Sequence, residues 1–436
     1  MPANQPAYPG RAVYVVDGCR TPYLKAEGQP GPFSASDMAQ SAGRTLISRM
    51  PFAADAFDEV VVGCVMPGPN EVNIARIISL RLGCGDAVPA WTVQRNCASG
   101  LQALDCAAQH ISSGVSDLVL AGGTEAMSHA PLLFRESMVR WLGSWYKART
   151  FGQRMRTLSQ LRPAYFAPII GLLKGLSDPI VCLSMGQTAE NLAFRFDISR
   201  EQMDEYAVRS HMRLANAFDQ GLMQEIDALY DSKGKVYEED TGLRRDSSVD
   251  RLARLRPAFD KPYGKVTAGN SAQITDGAAM LVLASEQAVE KYQLPVLGRI
   301  LDCNWAGVDP AQMGLGPVHA VAPLLQRNDL GMDDIHNWEI NEAFATQVMA
   351  CVAAWQDEDY CHNELGLDAA LGKVDEERLN VDGGGVSIGH PVGSTGARIV
   401  LHSLKVLQRT GEKRAVATLC IGGGQGGAML LERTES

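Results

Sequence analysis

A chain of 436 residues, 46% hydrophobic and 6% aromatic, is too long for one core and too apolar to be disordered, so two or three globular domains are expected. Fifty acidic against forty basic residues leave a formal charge of -10, which excludes general nucleic-acid binding by the surface as a whole. No uncharged apolar run approaches the roughly 18 residues needed to span a bilayer, residues 1–10 show no signal-peptide pattern, and ten cysteines without a CxxC read as reduced thiols in a cytoplasmic setting with no metal site.

In chain order, residues 12–17 and 59–64 are short, almost continuous apolar runs of the buried-strand kind, and 33–48 between them carries helical spacing. Residues 90–93 form a β-prone run that meets a small-residue turn and then an Ala/Leu-rich helix, so the Cys97 thiol falls where strand passes into helix. Unpaired N–H groups and the positive dipole end at such a place stabilise a thiolate and can hold an oxyanion. A buried strand over 117–123 then closes on glycines. The last third repeats this pattern: strand-like runs at 295–300 and 338–340, a helix at 396–406 entered through glycines, and a run over 414–424 that again ends in glycines. Residues 278–283 and 428–431 read as the final strands of their halves. Two similar α/β halves are therefore expected, with reactive groups from glycine-ended strands meeting between them.

Residues 129–265 fit neither half and form an expected, mainly helical insertion. Within it, 132–174 carries Arg135, Arg140, Lys147, Arg149, Arg154, Arg156, Arg162 and Lys174 against Glu136 alone. Phe134, Met138, Trp141 and Trp145 recur at helical spacing, so the segment suits a membrane surface, a partner subunit or an anionic ligand, or simply covers its own domain. A capping box at Ser199 and Gln202 starts a long helix over 199–223.

The stretch Gly383-Gly384-Gly385-Val386-Ser387-Ile388-Gly389-His390-Pro391 leaves His390 as the titratable side chain of a glycine-rich loop. Beside Cys97 and Cys420 it is the natural base for a cysteine nucleophile. Gly385-Val386-Ser387-Ile388-Gly389 matches a hydrolase nucleophile elbow, but no acid-then-histidine order follows it. Gly422-Gly423-Gly424-Gln425-Gly426-Gly427 matches a dinucleotide fingerprint, but a strand follows it instead of a helix. Neither chemistry is expected.

Asn96-Cys97-Ala98-Ser99-Gly100, Asn341-Glu342-Ala343-Phe344-Ala345, Gly389-His390-Pro391 and Cys420-Ile421-Gly422-Gly423-Gly424 together resemble the signature blocks of the thiolase family. The resemblance covers nearly the whole chain. It implies a five-layered α-β-α-β-α fold, with residues 1–128 and 266–292 as the N-terminal half, 129–265 as an inserted loop domain and 293–436 as the C-terminal half. It implies thiolysis of 3-ketoacyl-CoA by CoA, giving acetyl-CoA and a shortened acyl-CoA, reversible as Claisen condensation, with CoA as substrate and no cofactor. Cys97 would be the nucleophile, His390 its base, and Cys420 the acid/base at carbon. His390 with a water on Asn341, and the N–H groups of Cys97 and Gly422, would form two oxyanion holes. Met185, Met313 and Phe344 would line the acyl pocket, and Leu255, Phe259 and Ser271 would border CoA. A homodimer or homotetramer is implied.

Two departures bear on this. Many thiolases carry the CoA-contacting serine where this chain has Ala272, with Ser271 one place earlier. The basic insertion resembles the thiolase subunit of the fatty-acid oxidation trifunctional complex, which implies a hydratase/dehydrogenase partner subunit, yet those proteins commonly place His where this chain has Asn341. The rivals are a biosynthetic acetoacetyl-CoA thiolase, a ketosynthase or hydroxymethylglutaryl-CoA synthase, which Cys420 argues against, and a thiolase-fold lipid carrier or assembly subunit without catalysis.

Overall fold

The computed structural model describes residues 7–434. Its strands are, in chain order, β1 (Val13–Arg20), β2 (Leu24–Lys25), β3 (Glu59–Gly63), β4 (Ala90–Val93) and β5 (Leu118–Ala126). Two small ribbons follow, β6 (Leu132–Leu133) with β7 (Ile169–Ile170), and β8 (Leu229–Tyr230) with β9 (Val236–Tyr237). Next come β10 (Thr275–Ala284), β11 (Gly298–Gly307), β12 (Asn337–Ile340), β13 (Arg414–Ile421) and β14 (Gln425–Glu432).

The large sheet runs β12-β13-β14-β11-β1-β10-β5-β3-β4, with β2 beside β10. Outward from the centre, β1-β10-β5-β3 and β11-β14-β13-β12 repeat the same arrangement, antiparallel pairs inside. In the first half β3 is parallel to both β5 and β4; in the second, β12 is parallel to β13. An isolated parallel bridge from Trp338 to Leu379 stands where a counterpart of β4 would lie. The halves are also hydrogen-bonded edge to edge, Val13–Val15 antiparallel to Gly298–Ile300. The run at 278–283 extends at both ends, and the one expected at 295–300 instead begins at Gly298 and continues to Gly307, because small and polar residues still complete ladder bonds.

Between the two halves lie two central helices, Ser99–Ser113 and Thr395–Thr410, sharing one core with the inner faces of both. They touch through glycine: a Cβ on Gly100 would stand 2.8 Å from the Gly393 carbonyl oxygen, and one on Gly396 would stand 2.3 Å from the Leu101 nitrogen. Outer helices Ala35–Ser48 and Ile74–Arg81 cover the first half, and Gly316–Arg327 and Ala345–Gln356 cover the second, which makes five layers. The first central helix has no side-chain cap at Ala98, a deficit of about 1 kcal/mol. It fully buries Leu101, Leu104 and Ile111, each worth roughly 2 kcal/mol. Burial wins, and the helix can start at a small residue beside the reactive thiol.

In the insertion, the long helix runs Arg200–Asp219, with Ser199 and Gln202 exchanging both capping bonds (3.1 and 2.8 Å). The basic segment folds into helices Glu136–Lys147 and Phe151–Ser159. Its expected aromatic stripe is only partly covered: Met138 is buried and the Trp141 indole donates to the Thr157 carbonyl at 2.8 Å, while Phe134 and Trp145, the latter stacked on Trp141 at 5.7 Å, stay exposed. Val139, Tyr146, Phe151 and Phe134 are among its exposed apolar residues. Among the described residues, no helix is long and apolar enough to cross a membrane, and no group of three or more His, Cys, Asp or Glu could hold a metal.

Candidate active site

Cys97 sits in the five-residue turn between β4 and the first central helix. Asn96 takes a φ of +43° there, a left-handed conformation that asparagine tolerates better than most residues. Ser99 locks the turn: its hydroxyl donates to the Asn96 carbonyl (2.7 Å) and accepts from the Arg95 N–H (2.9 Å). His390 follows the short helix Gly385–Ile388 through Gly389, whose φ of +110° and 2.4 Å clearance from Thr275 admit no side chain. Asn341 directly follows β12, and Cys420 lies near the end of β13, just before the glycine turn.

A cavity of about 460 Å³ brings these together. Cys97, His390 and Cys420 all line it, with Met185, Met313, Phe344, Phe259 and Ser271. Phe259 and Phe344 meet edge to face at 5.9 Å. Gly186 makes room for them, since a Cβ there would lie 2.1 Å from the Phe259 ring. Leu255 does not line the cavity; it is 39% exposed and packs over Gly269. The Ser271 hydroxyl donates to the Thr267 carbonyl at 2.6 Å, so its proton is committed within its own loop. Lys25 and Arg244 line the same wall, unflagged by any sequence periodicity. A second cavity of about 120 Å³, lined by Cys97, Gly422, Met66, Leu172 and Leu176, adjoins it and shares Cys97, Met127, Leu176, Met185 and Val392 with it.

The electrostatics differ from those expected of a thiolate at a helix start. Burial pushes the Cys97 thiol up, and the Gly422 and Cys97 backbone N–H groups pull it only part of the way back. Burial pushes Cys420 well up, helped by the neighbouring sulfurs of Cys97 and Cys351. It pushes His390 down to about 3, with Arg398 adding to the effect, so the imidazole is neutral. Its tautomer follows from Thr395. The Thr395 hydroxyl donates to the Pro391 carbonyl (3.0 Å), so it accepts from His390 Nδ1–H (2.7 Å) and leaves Nε2 with a lone pair. The Asn341 amide lies 3.5 Å from both ring nitrogens, and its buried Oδ1 has no protein partner. Behind Asn341, the Glu342 carboxylate accepts from Tyr206 (3.0 Å), Ser210 (2.6 Å), Asn380 (3.0 Å) and the Val386 N–H (3.1 Å). That cluster joins the insertion to the His390 loop.

The second central helix is anchored by buried charge. His402 lies between Glu225 (2.9 Å) and Asp382 (3.2 Å), and these carboxylates outweigh its burial to raise it to about 10. Arg20 pairs bidentately with Asp240 (2.7 and 2.9 Å). On the other side of the site, Glu125 accepts from the Val65 and Met66 N–H groups (2.9 and 3.0 Å), while burial raises it to about 7. Asn96, Thr395, Glu125 and Arg244 were invisible as functional residues because each acts through a contact distant in sequence or through a common residue type. Only the glycines beside them hinted at close approach.

Residues 13–287 match the family model described as thiolase, N-terminal domain, and residues 294–433 match thiolase, C-terminal domain. The chain is 36% identical over 424 residues to the bovine mitochondrial trifunctional enzyme subunit beta, covering 97% of this chain and 88% of that one. It is 35% identical over 428 residues to a 3-ketoacyl-CoA thiolase of Pectobacterium atrosepticum, covering 98% and 97%. A crystal structure of human mitochondrial 3-ketoacyl-CoA thiolase in complex with CoA superposes with a TM-score of 0.83 at 35% identity, covering 97% of this chain and 98% of that one.

Proposed function

The chain belongs to the thiolase family, and on that premise we propose that it is a 3-ketoacyl-CoA thiolase that works through an acyl-enzyme on Cys97. The observation that carries this reading is that Cys97, His390 and Cys420 line one cavity, with Asn341 against the imidazole. CoA is a substrate of this acyltransferase.

Neutral His390 accepts the Cys97 proton at Nε2 as the sulfur bonds to C3 of the 3-ketoacyl-CoA. A thiol raised by burial and an imidazole lowered by it disfavour a preformed ion pair, so the proton moves with the attack. The oxygen on C3 becomes anionic beside the Cys97 and Gly422 N–H groups, and each well-placed donor is worth roughly 3 kcal/mol. The C2–C3 bond then breaks and its electron pair passes to the C1 oxygen as an enolate. Protonated His390 and a water held by Asn341 stabilise that oxygen. Cys420, whose raised thiol keeps its proton, protonates C2, and acetyl-CoA leaves. CoA then transfers its thiol proton to the Cys420 thiolate as its sulfur attacks the acyl carbon; Cys97 departs and recovers the proton held by His390. Ping-pong kinetics follow.

Of the three reactive groups only Cys97 lines both cavities, which also share Met127, Leu176, Met185 and Val392, whereas His390 and Cys420 line the larger alone. CoA and C2 thus belong to the larger, where Lys25 and Arg244 suit phosphate, Phe259 borders the pantetheine, and Met185, Met313 and Phe344 flank the reacting carbons. The carbon tail runs from C3 into the smaller. This supports chains longer than acetyl and a degradative role. Residues 1–128 with 266–292, and 293–436, serve as the catalytic halves, with 129–265 as the loop domain over them. Homo-oligomerisation is proposed with it. Exposed Phe134, Tyr146 and Phe151 amid the cations of 132–174 support contact with a membrane surface or a hydratase/dehydrogenase subunit. Ten free thiols support a reducing, cytoplasm-like compartment.

The test is thiolysis measured over a series of 3-ketoacyl-CoA chain lengths, with Cys97→Ser and Cys420→Ser alongside. Both variants should lose turnover. Full turnover in Cys420→Ser would remove the carbon acid, and turnover of acetoacetyl-CoA alone would remove the degradative role.

A further inference from the structure

One side chain beside the sulfur reaches across the molecule and has no part in the chemistry above. The Asn96 amide nitrogen donates to the Gly422 carbonyl oxygen at 2.8 Å, joining residues 326 apart in sequence and in opposite halves. Gln94 Nε2 lies 3.4 Å from Asn96 Oδ1, which orients the amide with its nitrogen towards Gly422. Gly422 supplies a backbone N–H to the Cys97 sulfur, yet it has no side chain of its own to hold it. The next two residues, Gly423 and Gly424, take φ of +92° and +76°, and the Gly424 carbonyl accepts from the Val308 N–H at 2.8 Å, which holds the far end of the turn and leaves the Gly422 carbonyl to Asn96. Met185 Sδ would stand 3.2 Å from a Gly422 Cβ, so the peptide is packed on that side.

We propose that Asn96 is a positioning residue whose side-chain amide pins the Gly422 peptide, so that the Gly422 N–H stays aimed at the Cys97 sulfur and at the acyl oxygen formed there. The inference rests on the thiolase reading for the acyl oxygen, but the contact with the sulfur exists in the free enzyme. Three properties make asparagine suit the place. It accepts a left-handed φ with little strain, it is short enough to stay in the turn, and it carries a donor for a carbonyl. Aspartate shares the first two and lacks the third. Glycine shares only the first.

The experiment compares Asn96→Gly and Asn96→Asp with the wild-type enzyme, reading kcat, KM for CoA and the pH dependence of Cys97 alkylation by iodoacetamide. Loss of a tethered donor should lower kcat roughly tenfold or more in both variants, with KM for CoA changed less than about threefold. The alkylation inflection should move to higher pH in Asn96→Gly, because the thiolate loses a fixed donor. A merely structural role for the left-handed turn predicts wild-type values in Asn96→Gly, and that result would overturn the proposal. If one variant does not fold, the other carries the same comparison. Failure of the thiolase reading is separately visible: the wild-type enzyme would then show no thiolysis, while the alkylation profile would still report on the Asn96 contact.

Discussion

Replacing Thr395 with valine tests how His390 is prepared as a base. The side chain is fully buried and nearly the same size as valine, so the fold should accept the change. Pro391 keeps partners, since its carbonyl also accepts from the Ser394 and Thr395 backbone N–H groups (2.9 and 3.0 Å). The loss therefore falls on His390 Nδ1–H, which is left without its 2.7 Å acceptor. A neutral hydrogen bond is worth about 1 kcal/mol, and one to the imidazolium formed during attack about 2 kcal/mol. Only the difference between the two, about 1 kcal/mol, separates the transition state from the bound ground state, so at 1.36 kcal/mol per tenfold in rate kcat should fall roughly fivefold with KM for CoA little changed. Thr395→Ser, which restores the hydroxyl, should recover most of the rate. The assay is steady-state thiolysis of a 3-ketoacyl-CoA, with thermal unfolding run on each variant. A Thr395→Val enzyme within twofold of wild type would refute the tautomer argument.

Other outcomes follow from the same geometry. His402 has a folded pKa near 10, above the roughly 6.5 of an unfolded histidine. Its stabilisation is therefore complete below about 6.5 and is lost as pH rises towards 10. Denaturant melts of His402→Gln should accordingly show a deficit of a few kcal/mol at neutral pH that narrows at alkaline pH; a deficit that does not vary with pH would count against this. His390 behaves oppositely: held near 3, it cannot take up the proton an unfolded histidine binds. Its contribution is present above about 6.5 and falls away as pH drops towards 3. Leu172→Trp fills the smaller cavity only, so turnover of longer 3-ketoacyl-CoAs should fall about tenfold while acetoacetyl-CoA is spared; equal losses would mean the tail lies elsewhere. Tyr146→Ser with Phe151→Ser should reduce cosedimentation with anionic vesicles, and wild-type protein that never sediments with them would end the membrane reading.

Much of this architecture was legible in the chain because buried strands and the capping box depend on local chemistry. The apolar runs near 59–64 and 117–123 and the box at Ser199 and Gln202 specify their own conformation. The aromatic stripe of 132–174 was ambiguous for the opposite reason. Helical spacing shows which residues share a face, not what covers it, and here Trp141 turned towards the adjoining helix while Trp145 and Phe134 stayed exposed.

What the sequence determined by itself was chemical identity: two reactive cysteines and one histidine, each set among glycines that permit close backbone approach, in halves built to one pattern. What only the tertiary structure decided was how those groups ionise and point. Desolvation depends on every atom packed around a group, so the neutral state of His390 and the raised thiols of Cys97 and Cys420 arise from the assembled layers. Bonds such as Asn96 to Gly422 exist only because the two halves meet edge to edge, and no local pattern encodes a contact between residues that the chain itself keeps far apart.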